Sequence, residues 1–108
     1  MKKIILTVTA VMAIGGFVSA GTAGTKAPLT GQALFKEHCA LCHEDGGNII
    51  NPQKTLRKAD LLAHGIKTKA DIVRTMRHPG KGMTTWSAAA LPDDKAGLIA
   101  DYIIKTFR

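Results

Sequence analysis

Cys39-Ala40-Leu41-Cys42-His43 constrains this chain more than any other stretch. The pattern Cys-x-x-Cys-His is the attachment site of a c-type haem: two thiols add across the vinyl groups and the adjacent imidazole reaches the iron. The spacing has a geometric basis. In a helix, residues 39, 42 and 43 stand at i, i+3 and i+4, so all three side chains leave one face. A single turn then holds a flat group by two covalent bonds and still aims a nitrogen at its metal. The rest of the chain has to supply a sixth ligand, a dry pocket and a surface for partners.

The other end of the argument is the N-terminus. Lys2 and Lys3 precede an apolar run over residues 4–18, and small residues follow. That reads as a signal peptide over 1–20, cut after Ala20 or Ala23, with export to the periplasm. The run is 15 residues long, short of the ~20 that a membrane helix needs, so no stable membrane insertion is expected after cleavage. Residues 21–29 read as a flexible lead-in and 30–108 as one small domain. A domain of this size has a thin core of its own, and an enclosed haem would act as its central hydrophobic group.

Charge and cysteine usage narrow the class further. Removing Lys2 and Lys3 leaves 13 Lys and Arg against 8 Asp and Glu. A net positive surface suggests acidic partners, whereas nucleic acid is not expected for an exported chain without aromatic-basic interleaving. Export with two cysteines would ordinarily suggest a disulfide. Here both sit in the motif that ends in histidine, so they read as thioether-bonded. A thiol-disulfide catalyst would want its Cys-x-x-Cys after a strand in a βαβ setting, and a zinc site would want paired histidine spacing; neither context is present.

Periodicity predicts an all-α chain. Thr30 suits the cap of a first helix that runs to the motif. Residues 44–53 read as loop, with Gly46-Gly47 permitting a tight turn. Residues 54–64 are helical in pattern, with Leu56, Ala59, Leu62 and Ala63 as the inner face and Gly65 as the stop. Thr68 is a cap for a helix carrying Ile72, Val73 and Met76. Pro79-Gly80-Lys81-Gly82 breaks regular structure before Met83. Pro92 with Asp93 and Asp94 opens a last helix, whose buried stripe is expected to be Leu98, Ile99, Tyr102 and Ile103.

Four side chains compete for the sixth coordination position: Met76, Met83, His64 and His78. Met83 lies 40 residues beyond His43 and follows a Pro/Gly-rich segment able to wrap around a sulfur. Met76 sits in a helical apolar stripe, where methionine is ordinarily core. The histidines read as solvated. Met83 is the expected ligand, and thioether ligation raises the reduction potential relative to a second histidine.

With these residues in view, the chain resembles the class I cytochromes c. Within them it is similar to the small monohaem type of algal and cyanobacterial photosynthesis and of bacterial periplasms. The motif, Gly46-Gly47-Asn48-Ile49-Ile50, Pro52-Gln53-Lys54-Thr55-Leu56, Ala70-Asp71-Ile72-Val73 and Gly80-Lys81-Gly82-Met83 follow that type's order. The resemblance implies four to five helices around one covalently bound haem c, with first and last helices crossing through the Gly31/Phe35 and Ile99/Tyr102 pairs. It implies Cys39 and Cys42 as thioether cysteines, and His43 and Met83 as the axial metal ligands. It also implies Pro52 as the carbonyl that accepts a hydrogen bond from the ligand imidazole, and Trp86 as a wall of the haem pocket. One departure stands out: the type usually has proline after the ligating methionine, where this chain has Thr84.

The function implied is a soluble, monomeric periplasmic carrier of single electrons between redox partner proteins, not an enzyme. A haem enzyme or gas or redox sensor with a labile sixth ligand is the rival reading. Lys36, Lys54, Lys58, Lys67, Lys69 and Lys81 are candidates for a basic rim that steers partners with acidic docking faces.

Overall fold

The computed structural model describes residues 15–16 and 29–108. The signal peptide, its cleavage sites after Ala20 or Ala23 and most of the lead-in lie outside the described residues. Five helices make up the described domain: α1 (Gly31–His38), α2 (Ala40–His43), α3 (Lys58–Ala63), α4 (Lys69–Arg77) and α5 (Asp93–Thr106), with a 3-10 turn at Glu44–Gly46 after α2. No strand occurs among the described residues, as the periodicity predicts.

α1 begins where a hydroxyl is available to cap it. The Thr30 Oγ1 accepts from the Ala33 N–H at 3.1 Å. The helix does not run unbroken into the motif, as the sequence pattern suggested. It breaks at Cys39, whose backbone (φ −120°) leaves the helical region, and α2 starts anew at Ala40. The stagger is small, because the His43 N–H still donates to the Cys39 carbonyl at 2.9 Å.

α1 and α5 cross at a glycine. A Cβ added to Gly31 would stand 2.1 Å from the Leu98 carbonyl oxygen and 2.9 Å from the Tyr102 Cβ, so the backbones meet where only hydrogen fits. Phe35, Tyr102 and Phe107 close the crossing as an aromatic trio, with centroids 5.2 to 5.8 Å apart in tilted and edge-on pairs. Such contacts add a little to area burial through ring quadrupoles.

α5 is the central element, and its buried residues are Ala96, Gly97, Ile99, Ala100 and Ile103. The expected stripe of large residues needs correction: Leu98 is exposed and Tyr102 half-buried. The reason is that α5 packs against both α1 and α4, and close approach on two sides calls for small side chains. On α4, Ile72 and Met76 are buried as expected and Val73 is half-buried. Thr68 and Asp71 form a reciprocal capping box at its start. The Asp71 carboxyl is held below its usual range, first by the N–H groups of Lys67 and Thr68, then by the Thr68 hydroxyl and the Arg74 guanidinium.

α3 is shorter than the pattern suggested, with Lys54 to Arg57 forming turns before it. Its expected inner face also needs correction. Ala59, Leu62 and Ala63 are exposed, while Leu61 and the preceding Leu56 turn inward. Gly65 ends the helix in the left-handed region at φ +75°, as a glycine stop does.

Candidate functional site

The three motif side chains converge on a cavity of about 480 Å³, within the ordinary size range of a cofactor site. Cys39, Cys42 and His43 border it from the α1–α2 turn, Leu56, Leu61 and Ile66 from the α3 region, and Met76, Met83 and Trp86 from α4 and the segment after it. No fully buried side-chain nitrogen or oxygen among the described residues is left without a partner. The lining therefore suits a large flat apolar group rather than water.

The Cys39 sulfur fits that reading. Burial pushes the Cys39 thiol up to about 11, so its surroundings favour an uncharged sulfur, which is what a thioether is. Among the described residues no three His, Cys, Asp or Glu side chains gather to hold a bare ion. A metal carried inside a macrocycle, needing only one ligand above and one below, matches the donors present.

His43 is oriented by the chain just beyond it. Its Nδ1 lies 2.7 Å from the Gly47 carbonyl oxygen. With Nδ1 donating there, Nε2 keeps its lone pair free and could serve as a metal ligand. The resemblance gave this role to Pro52. In this structure the carbonyl beside His43 Nδ1 is that of Gly47, and Pro52 lies exposed in a turn and does not border the cavity.

The local cause is a left-handed pair. Asp45 (φ +52°) and Gly46 (φ +77°) turn the chain back so that residue 47 returns to residue 43. The Gly47 N–H donates to the Glu44 carbonyl at 2.9 Å, and Ile49 N–H to that of Cys42 at 3.0 Å, fixing the return. Gly46 cannot be replaced freely, because an added Cβ would sit 2.5 Å from the Phe107 ring.

Asn48 was not singled out from the sequence, yet it shapes the next six residues. Its Oδ1 accepts from the Ile50 and Asn51 N–H groups at 3.0 and 2.8 Å, and its Nδ2 donates to the Lys54 carbonyl at 3.0 Å. Asparagine after a glycine pair was the available signal, since its side chain readily mimics a backbone turn.

The candidates for the sixth position separate clearly. His78 is exposed and absent from the lining. His64 reaches the rim, but its Nδ1 is engaged with the Asp60 carbonyl at 2.8 Å. Met76 borders the cavity from a helix and is only 4% exposed, packed in the core. Met83 borders it from irregular chain and is half-buried.

Trp86 lines the same space, edge-on to His38 with centroids 5.1 Å apart. Its N–H donates to the Met76 carbonyl at 2.9 Å. Arg77, which the sequence analysis did not single out, donates from Nη1 to the Trp86 carbonyl at 2.9 Å and from Nη2 to Asp93 Oδ1 at 2.7 Å.

The six lysines do not share one face. Lys54 and Lys81 border the cavity, Lys58 and Lys67 line a second cleft beside α5, and Lys69 is paired with Asp101 at 2.9 Å. Of the residues that border the cavity, Leu41 and Ile50 are exposed at 88 and 59%. Among the described residues no helix is long and apolar enough to cross a membrane.

Comparison with known proteins gives a consistent picture. The family described as cytochrome C oxidase, cbb3-type, subunit III matches residues 26–103. Cytochrome c6 of Synechocystis sp. is 37% identical over 92 residues, spanning 84% of this chain and 76% of the relative. Cytochrome c6 of Thermostichus vulcanus is 35% identical over 105 residues, spanning 96% and 92%. Among solved structures, OmcF, an outer membrane cytochrome from Geobacter sulfurreducens, superimposes with a TM-score of 0.71 at 41% identity, over 72% of this chain and 99% of that one.

Proposed function

The chain belongs to the small class I monohaem c-type cytochromes, and from that premise we propose that it shuttles single electrons in the periplasm after removal of residues 1–20 or 1–23. It is an electron-transfer protein and not an enzyme, and it carries one covalently attached haem c. Bound in the cavity, the haem supplies an iron that gains and loses one electron with no substrate bond made or broken.

The remaining work falls to the chain. Cys39 and Cys42 form the two thioethers, which hold the group to the α1–α2 turn through every redox cycle. His43 is the proximal ligand, and its Nδ1 proton stays on the Gly47 side throughout, so the ring neither rotates nor changes tautomer. Met83 would supply the second ligand to the iron, and Trp86 borders the same cavity. Leu56, Leu61 and Ile66 exclude water, which keeps the surroundings from reorganising when the charge changes. Partners with acidic docking faces are steered by the cations at the mouth, Lys54 and Lys81, and meet a monomer. That attraction is a rate effect, so it weakens as salt rises.

The observation that carries this reading is the 2.7 Å contact from His43 Nδ1 to the Gly47 carbonyl, in a cavity that Cys39, Cys42 and Met83 also border. Mass spectrometry and a redox titration of the purified protein test it. The expected result is a mass of chain plus one haem, with reversible one-electron behaviour and the weak far-red sulfur-to-iron band in the oxidised state. A colourless protein of bare polypeptide mass would overturn it.

A further inference from the structure

The segment that carries Met83 is nearly unsupported. Between Pro79 and Thr85 the hydrogen-bonded structure among the described residues is limited to a turn at Lys81 and Gly82, with Gly82 in the left-handed region at φ +92°. The segment's downstream end is another matter. The Trp86 N–H is bound to the Met76 carbonyl at 2.9 Å, and the Trp86 carbonyl to Arg77 Nη1 at 2.9 Å. Two consecutive residues of the last turn of α4 therefore clamp Trp86, three positions beyond Met83.

Arg77 is the part of the clamp that sequence can vary. Its side chain is 16% exposed, and its second nitrogen donates to Asp93 Oδ1 at 2.7 Å, at the first residue of α5. A guanidinium makes the two bonds from separate nitrogens held in one rigid plane, whereas an ammonium donates from a single point on a flexible stem. Asp93 is 85% exposed, so the ion pair alone contributes little. Its effect is to hold the plane of the fork so that Nη1 points at the Trp86 carbonyl.

We propose that Arg77 is the positioning residue for the Met83 sulfur. Through the Trp86 carbonyl, braced by Asp93, it fixes where the unsupported segment ends and so how firmly the sulfur holds its place against a competing ligand. The inference rests on Met83 being the distal ligand.

The test uses ferric holoprotein: wild type, Met83→Ala, Arg77→Ala, Arg77→Lys and Asp93→Asn. Each is titrated with imidazole while the far-red band is followed, and denaturant unfolding is measured alongside. Arg77→Ala is expected to bind imidazole about tenfold more tightly, the size of one lost hydrogen bond to a charged group. Arg77→Lys recovers part of the wild-type resistance, and Asp93→Asn weakens it to a smaller extent. An Arg77→Ala protein that unfolds more easily but binds imidazole as wild type does makes Arg77 merely structural and overturns the proposal. Where Arg77→Ala does not accumulate with haem, Arg77→Lys decides, and unchanged imidazole affinity there overturns it equally. A far-red band that survives in Met83→Ala is a different failure: it removes the ligand assignment, whatever the Arg77 variants do.

Discussion

Gly31 presents its Cα hydrogen to the Leu98 carbonyl so closely that an added Cβ would lie 2.1 Å from the oxygen. The obstacle is backbone, which cannot swing aside as a side-chain tip can. Gly31→Ala is therefore expected to cost about 3 kcal/mol, at the upper end for overpacked sites. In a domain of this size that corresponds to a drop on the order of 10 °C or more in Tm. Thermal unfolding of the holoprotein checks it; a Tm within about 2 °C of wild type would mean the two helices slide apart freely.

Met83 and Met76 border one cavity from different kinds of chain, and substitution separates their roles. Met83→Ala is expected to abolish the far-red band, leave high-spin or misligated iron and lower the potential substantially. Met76→Ala empties a core position and costs roughly 2–5 kcal/mol, with the band retained. Absorption spectra beside denaturant titrations report both quantities. Loss of the band in Met76→Ala instead would show that the core sulfur is the ligand.

Gly46 couples the proximal histidine to α5. Alanine there meets a left-handed backbone, costing about 1–2 kcal/mol, and the Phe107 ring besides. Relief requires the 45–47 turn to open, which withdraws the Gly47 carbonyl from His43. Gly46→Ala is thus expected to raise the reduction potential as the imidazole donates less, and to speed exchange of the Nδ1 proton. Electrochemistry and proton NMR measure the two, and a potential equal to wild type with slow exchange would contradict the coupling.

The Asp71 carboxyl titrates below its ordinary range because the N–H groups of Lys67 and Thr68 donate to its charged form. A depressed folded value contributes stability above the unfolded pKa of about 3.9, and that contribution fades as pH falls through the lower folded value. The stability gap between wild type and Asp71→Ala is expected to be constant above about pH 5 and to close in acid. Denaturant midpoints across pH 2 to 7 follow it; a gap independent of pH would mean that the capping geometry matters and the charge does not.

The most local features were legible from the sequence. A cap followed by helical periodicity located α4 and its Thr68 start, since three residues and one hydroxyl settle a helix terminus. The motif at residues 39–43 placed two thiols and an imidazole together, because neighbours three and four apart share a helical face wherever the helix goes. The crossing of the first and last helices came from the resemblance, through Gly31/Phe35 and Ile99/Tyr102, and Gly31 at the start of α1 meets Leu98 there. The break in the helix at Cys39 was not legible.

Long-range packing is where that legibility stops. Of the stripe read on α5, Ile99 and Ile103 are buried, but Leu98 is exposed and Tyr102 half-buried, and Ala96, Gly97 and Ala100 complete the contact faces because the helix packs on two sides. The resemblance named Pro52 as the imidazole's acceptor, and the Gly47 carbonyl comes within reach of His43 because the left-handed pair at Asp45 and Gly46 returns the chain within four residues. Nothing in the sequence singled out Arg77, whose bonds to the Trp86 carbonyl and Asp93 join α4, the segment after it and α5.

By itself the sequence determined the attachment chemistry, the all-helical class and the elements to be joined. Each of these depends on residues a few positions apart, whose relative placement the covalent chain already restricts. Only the tertiary structure decided which carbonyl holds His43, which sulfur lines the cavity from irregular chain, and what anchors that chain's end. Those relations join residues that sequence leaves free to take many relative positions, and packing against α5 selects one of them.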